Sequence, residues 1–167
     1  AASTTTPVTA PTVSNNTGTA IPFGSSTLMT FTNGTATVSG NTNGVMRLYK
    51  VENAIVTVTD GTISSAGADR LTVAVGPGAL GQFSWTLASP QTNGVSFTGI
   101  NALVAQDDWG NTVAVEGISI ALSATPAGLV ASLDSPIVTD TTGVASGELT
   151  AGSSYGRHPR GARASRS

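Results

Sequence analysis

The side chains of this sequence best suited to chemistry are Asp107, Asp108 and Asn111, which all carry oxygen and lie close together. Carboxylate and amide oxygens grouped at a turn are ligands that calcium accepts. The glutamate that closes a calcium loop of the EF-hand type does not follow them. A hairpin whose Asp and Asn side chains bond their own backbone explains the same pattern and is favoured. The sequence therefore predicts no metal site and no cofactor.

The two tryptophans could instead offer flat surfaces on which sugar rings stack. Trp85 alternates with Phe83 and Leu87 in a predicted strand, which favours a place in the core. Trp109 lies in a turn and is expected to be more exposed. A carbohydrate site that depends on Trp109 stays open as an alternative.

Nucleophilic catalysis finds little support. His158 is the single histidine of the chain. A Ser-His-Asp triad needs a histidine held between its partners by a scaffold, whereas His158 lies in a tail rich in glycine and arginine. The sequence predicts no catalytic residue and no enzyme.

The basic residues are concentrated at the C-terminal end. Arg157, Arg160, Arg163 and Arg166 are four of the seven, so residues 1–156 carry three basic residues against nine acidic ones. An acidic body argues against nucleic-acid binding by the fold. The tail could bind nucleic acid or an acidic neighbour, although a solvated tail is favoured. Docked on the acidic body of another subunit, it would link the two electrostatically.

The composition is that of a β-rich chain. Charged residues make up 10% and hydrophobic residues 39%, against about 25% charged in an average soluble domain. Threonine, serine, asparagine and glycine take the place of charged residues, and these residue types suit strands and tight turns. The many β-branched residues favour order over disorder. There is no cysteine, and no apolar run is long enough to predict a membrane span.

Tight turns divide the chain into short strands. Asn33-Gly34, flanked by alternating residues, is a strong hairpin signal, and Asn43-Gly44 and Asp60-Gly61 predict further turns. No segment keeps a helical period, so almost no helix is expected. Asn15 and Asn33 also open Asn-x-Thr glycosylation motifs, which arise by chance in so threonine-rich a chain.

One pattern occurs twice. Residues 30–36 read TFTNGTA and residues 139–145 read TDTTGVA, which share Thr-x-Thr-x-Gly-x-Ala at an offset of 139 − 30 = 109 positions. That offset is close to the length of an immunoglobulin-like sandwich, about 100 residues. We therefore expect residues 139–145 to be a second copy of the first hairpin.

The order of the motifs points to a family. Residues 107–113, DDWGNTV, resemble the D-x-x-G-N-x-V turn of bacterial immunoglobulin-like repeats, found in invasin/intimin-type adhesins and giant tandem-repeat surface proteins. Similar matches to strands and turns of such a repeat occur at 43–75, 83–92, 122–128 and 139–145. The resemblance covers most of residues 27–150. It implies an all-β, immunoglobulin-like antiparallel β-sandwich of seven strands that acts as a spacer or adhesive stalk without catalysis.

The repeats are incomplete at both ends. The predicted segments are an extended arm at 1–26, the C-terminal half of one repeat at 27–76, the N-terminal half of the next at 79–150, and a basic tail at 151–167. Gly76-Pro77-Gly78 is the predicted boundary between the halves. Half a sandwich cannot bury its own core. Something must therefore complete each half.

Three solutions remain open. The chain could be a fragment of a longer protein, its halves could pair within one molecule, or one copy could complete the next by strand complementation. The short link at 76–78 disfavours the second, and head-to-tail completion makes fibres or rings. We expect a structural or adhesive protein at a bacterial, cell or virion surface that self-associates into an oligomer or filament. It could also take a carbohydrate or cell-surface ligand. The alternative is a carbohydrate-binding or other accessory module of a secreted enzyme.

Overall fold

The chain folds into short antiparallel strands. The computed structural model describes residues 2, 3, 5, 8–92, 94–97, 102–123, 130–133, 135–147 and 149–151. Every strand pairing given for these residues is antiparallel, and their single helical segment is a 3-10 turn at Gly67–Asp69. The prediction of an all-β chain with almost no helix is confirmed.

The strands of the described residues are, in chain order, β1 (Thr12–Ser14), β2 (Ala20–Pro22), β3 (Met46–Arg47), β4 (Glu52–Val56), β5 (Leu71–Val75), β6 (Leu80–Thr86), β7 (Ala102–Asp107), β8 (Ser119–Ile120), β9 (Val130–Leu133), β10 (Ile137–Val138), β11 (Val144–Ser146) and β12 (Leu149–Ala151). Most have five residues or fewer, and β6 is the longest with seven. Strands this short leave most of the described residues in turns and connections.

Two compact units divide the chain. The first combines residues 1–83 with residues 105–113, and the second takes residues 84–104 and the described residues from 114 onwards. Gly76-Pro77-Gly78 lies inside the first unit. Within this unit the N–H of Gly78 donates a hydrogen bond to the carboxylate of Asp107.

The first unit holds two small sheets. One has the strand order β2-β1-β3, with Val13 opposite both Ile21 and Met46. The other is the hairpin β4-β5, in which five pairs run from Glu52 opposite Val75 to Val56 opposite Leu71. Side chains of directly opposed residues share a face. One face of the hairpin therefore carries Ala54, Val56, Leu71, Val73 and Val75, and apart from Glu52 this face is apolar.

The second unit has its core around two strand pairs. Strand β11 pairs with β7, and β10 pairs with β8. Leu103, Ile137 and Ala145 are buried together, with Ile120 and Leu122 packed against them. Strand β9 pairs with β12 through a register shift at Thr150. Burying a large aliphatic side chain contributes about 1.5–3 kcal/mol, so this cluster is the main apolar support of the unit.

Strand β6 differs from its prediction. It hydrogen-bonds β7 and lies at the edge of the order β11-β7-β6. Phe83 is 43% exposed, Trp85 45% and Leu87 41%. The prediction that this apolar face is core is wrong for the single chain, since alternation in a strand says which side chains share a face and not whether that face is covered.

The two copies of the repeated pattern form different turns. In residues 30–36, Thr32 and Thr35 exchange both backbone hydrogen bonds around Asn33 and Gly34, whose φ angles are 49° and 78°. This is a two-residue turn of the I′ kind. In residues 139–145, Asp140 N–H donates to the carbonyl of Val144, which makes a longer turn. The expectation of a second copy of the same hairpin is wrong, because the aspartate at 140 supplies local hydrogen bonds that Phe31 cannot.

Candidate functional site

A five-residue turn occurs three times in the described chain, at residues 15–19, 107–111 and 140–144. In each, the first residue donates its N–H to the carbonyl of the fifth, and the fourth donates to the carbonyl of the first. The fourth residue is glycine each time, with φ of 90°, 81° and 78°, where a side chain would be strained. The first residue is Asn or Asp, and its Oδ1 accepts the N–H groups of the third and fifth residues. The three turns share the pattern [DN]-x-x-G-x, which residues 41–45 also match without forming the turn, since the N–H of Gly44 donates to the carbonyl of Ser14.

The turn at 107–111 is the one that also holds distant segments. The side chain of Asp107 is 1% exposed. Its Oδ1 accepts the N–H of Trp109 at 3.0 Å and of Asn111 at 2.9 Å. Its Oδ2 accepts the N–H of Gly78 at 2.8 Å and the Nδ2 of Asn111 at 2.8 Å. Four N–H groups thus surround one buried carboxylate, which satisfies the charge that burial would otherwise penalise.

Asn111 extends this network to another segment of the first unit. Its Nδ2 also donates to the carbonyl of Tyr49 at 2.7 Å, and its Oδ1 accepts the N–H of Val51 at 3.0 Å. The ring of Tyr49 lies 5.3 Å from that of Trp109, tilted by 44°. This separation suits an attractive aromatic pair. We call Tyr49, Val51, Gly78, Asp107, Trp109 and Asn111 the Asp107 network.

Hydrogen bonding sets the electrostatics of the network. Burial raises the pKa of Asp107. The bonds from the Asn111 side chain and from the backbone of Gly78, Asn111 and Trp109 outweigh this effect and hold the pKa below its ordinary value. Donors that favour the charged form act in this direction. Asp107 is therefore ionised at neutral pH and acts as an anchor for backbone N–H groups.

Most oxygen atoms of the candidate calcium ligands already accept hydrogen bonds within the protein. The Oδ1 of Asp107 accepts the N–H groups of Trp109 and Asn111 in its own turn, as the hairpin interpretation expects. The Oδ2 of Asp107 and the Oδ1 of Asn111 accept N–H groups of the distant residues Gly78 and Val51, which the interpretation did not include. Asp108 is exposed and lies against Gly81. The described residues hold no group of three or more His, Cys, Asp or Glu side chains arranged for a metal ion.

The two tryptophans considered for sugar stacking have different environments in the structure. Trp109 is half-buried in the Asp107 network, where it contacts Tyr49 and lies against Gly78. Trp85 is the more exposed of the two, the reverse of the expectation. His158 and the four arginines of the tail lie outside the described residues.

Many large apolar side chains of the described chain are exposed at its surface. Six apolar residues are buried in the described chain, three of which are alanines. The large apolar side chains that are well exposed are Val8, Leu28, Phe31, Val38, Met46, Val51, Ile55, Val58, Ile63, Leu71, Leu80, Phe83, Trp85, Leu87, Val95, Val115 and Val138. Apolar residues exposed singly are ordinary on protein surfaces, and it is contiguous apolar patches that mark interaction sites. Sequence reasoning missed this feature because alternation does not report what covers a face.

Comparison with known proteins gives no match to a family model, a curated protein or a solved structure. Within the described residues, no helix is long and apolar enough to cross a membrane.

Proposed function

We propose that this chain is a non-catalytic structural or adhesive module of an external surface, with an immunoglobulin-like β-sandwich completed by strands from another copy. The observation that carries the proposal is the unprotected edge of β6. In the described chain β6 has a strand on one side only, namely β7. An exposed strand edge offers free backbone N–H and carbonyl groups to another chain.

Strand β6 lacks the devices that usually protect an edge. Natural edge strands are short, carry charges or proline, or are bulged. Strand β6 is the longest of the described chain, and its sequence LGQFSWT contains no charge and no proline. Phe83 and Trp85 stand on one face at more than 40% exposure. An edge of this kind suits β-augmentation, in which main-chain bonds add affinity and side chains add specificity.

The complementary element is the hairpin β4-β5. It is a sheet of two strands in the described chain, which is marginal without a covering layer. One of its faces carries the five apolar side chains named above: Ala54 is buried within the chain, Val56, Val73 and Val75 are half-buried, and Leu71 at its end is 49% exposed. A second copy could extend the covering of that face to Leu71 while its β6 edge gains a partner. Such an interface is heterologous and generates rings or filaments.

Sedimentation tests this proposal. The full chain is expected to form oligomers whose size rises with concentration. Trp85→Thr keeps strand propensity and removes the aromatic anchor, so it should weaken association by about 2 kcal/mol, which is roughly thirtyfold in dissociation constant. Ile63→Thr is the matched control, because Ile63 is 73% exposed but lies outside the strands. A chain that stays monomeric at high concentration would contradict the proposal.

The second candidate is a carbohydrate-binding module, and the exposed pair Phe83 and Trp85 favours it. Neighbouring aromatic rings on one strand face could stack on a sugar chain. Titration of soluble polysaccharides against tryptophan fluorescence tests this. Binding that Trp85→Ala abolishes, by a chain that remains monomeric, would favour the module over the assembly.

A further inference from the structure

We propose that Asn33 is a site of spontaneous deamidation and that the same dipeptide at Asn43 is protected by the fold. Both residues precede glycine, and both have a positive φ, 49° at Asn33 and 61° at Asn43. The pair therefore matches in sequence and in this backbone angle. The two sites differ in burial and in hydrogen bonding.

The reaction needs a free side chain and a free backbone nitrogen. The nitrogen of Gly34 attacks the Cγ of Asn33, a new N–C bond closes a succinimide, and the bond from Cγ to Nδ2 breaks. Ammonia leaves with the proton of the attacking N–H. Water then adds to either carbonyl of the ring and opens it, giving aspartate or isoaspartate. The net change is one water gained and one ammonia lost, with no oxidant or cofactor.

Asn33 meets these conditions. It is exposed at the tip of its turn, and no hydrogen bond of its side chain occurs among the described residues. Gly34 is also exposed, and its N–H donates to no backbone carbonyl of the described chain. Two hydrogen bonds between Thr32 and Thr35 close the turn. A surface turn held so locally opens at little cost.

At Asn43 the residue is buried, its side chain is hydrogen-bonded, and the N–H of the glycine that follows it is hydrogen-bonded too. Its residue is 8% exposed. Its Oδ1 accepts the N–H of Thr30, and its Nδ2 donates to the carbonyls of Thr30 and Thr37. The N–H of Gly44, the nucleophile that would attack, donates to the carbonyl of Ser14 at 2.9 Å. Cyclisation here would break this whole set of buried bonds, which are costly to leave unmade.

Peptide mapping of the aged protein tests the proposal. Arg47 is the first basic residue of the chain, so trypsin releases both sites in one peptide, residues 1–47. The full chain is kept in mildly alkaline buffer, and fragmentation of this peptide locates the mass increase that accompanies replacement of the amide NH₂ by OH. We expect deamidation at Asn33 to be faster than at Asn43 by about a hundredfold or more, equivalent to about 2.7 kcal/mol of activation free energy.

The same incubation in denaturant is the control. Unfolding removes the restraints, so the rates at the two sites should converge to within about threefold, well under one decade of rate. Equal rates in the native chain would overturn the proposal. A hundredfold difference that persists in denaturant would also overturn it, because neighbouring sequence and not the fold would then cause the difference.

Discussion

The N–H of Gly78 lies 2.8 Å from the Oδ2 of Asp107, so a carboxylate at the end of β7 holds the backbone just before β6. The same oxygen accepts the side chain of Asn111. A bend between two strands is thereby fixed by one buried charge.

Asp107→Ala should lower the free energy of unfolding by about 3 kcal/mol or more. The change leaves the N–H groups of Gly78, Trp109 and Asn111 without their acceptor, and each unsatisfied buried donor costs about 1–3 kcal/mol. The measurement is a urea transition at a concentration where the chain is monomeric. Asp69→Asn is the control, because Asp69 is exposed and should leave the midpoint unchanged. Equal midpoints for both variants would show that the network adds no stability.

Stability should fall as the pH drops below about 4. The pKa of Asp107 lies below its ordinary value of 3.8, for the balance of burial and hydrogen bonding given above. Hydrogen bonds from the N–H groups of Ile63 and Thr62 lower the pKa of Asp60. Hydrogen bonds from Thr142 and Val144 lower the pKa of Asp140 in the same way. The unfolded chain therefore takes up protons first, so the stabilisation present at neutral pH is lost as pH falls from 3.8 through the lower native values.

Thermal unfolding followed from pH 7 into the acid range measures this dependence. The exposed aspartates should contribute little, because solvent screens them. Asp107→Asn removes the buried group and should flatten the acid limb of the curve. If stability falls as steeply with decreasing pH in this variant as in the unchanged chain, groups other than Asp107 cause the pH dependence.

Gly78→Ala should destabilise by about 1–2 kcal/mol, as overpacking commonly does. A Cβ at this position would lie 3.2 Å from Cζ3 of Trp109 and 3.4 Å from Oδ2 of Asp107. Gly76→Ala is a close control, since a Cβ there meets no atom within 4 Å. It should leave stability unchanged or raise it slightly by restricting the unfolded chain. Differential scanning calorimetry compares the stability of the two variants. Similar losses of stability in both would point to the loss of glycine flexibility and not to overpacking at Gly78.

Asn43→Gly should cost about 2–3 kcal/mol, whereas Asn33→Gly should be close to neutral. Glycine accepts a positive φ without strain, so the substitution removes only the side chain at each site. At Asn43 this removes bonds to Thr30 and Thr37, and net contributions are about 1 kcal/mol each. Chemical denaturation compares the pair. Equal effects would mean that the Asn43 bonds merely replace bonds to water.

The all-β class and several turns could be predicted from local patterns. The all-β class follows from alternating β-branched residues, and Asn33-Gly34 forms the tight turn that such a dipeptide favours. The bonding of the Asp107 Oδ1 to the backbone of its own turn also follows from its residue type. These features depend on residues a few positions apart, which a sequence displays directly.

Long-range relationships could not be predicted in the same way. Nothing in the sequence indicates that Asp107 meets Gly78 or that Asn111 meets Tyr49, since those contacts depend on how the chain returns on itself. The exposure of Trp85 was missed for a related reason, because alternation cannot say whether a face has a partner. The repeated Thr-x-Thr-x-Gly-x-Ala pattern misled because its shared glycine takes two different turn positions.

The five-residue turns have a consequence for how the chain folds. Each of the turns at 15–19, 107–111 and 140–144 is closed by bonds between residues at most four positions apart. Closing so short a loop loses little chain entropy, and hairpins form in about 1–10 μs. Folding can therefore start at three separate places before any distant strands meet. The contacts of Gly78 with Asp107 and of Tyr49 with Asn111 join residues 29 and 62 positions apart, so closing them costs more chain entropy than closing the turns.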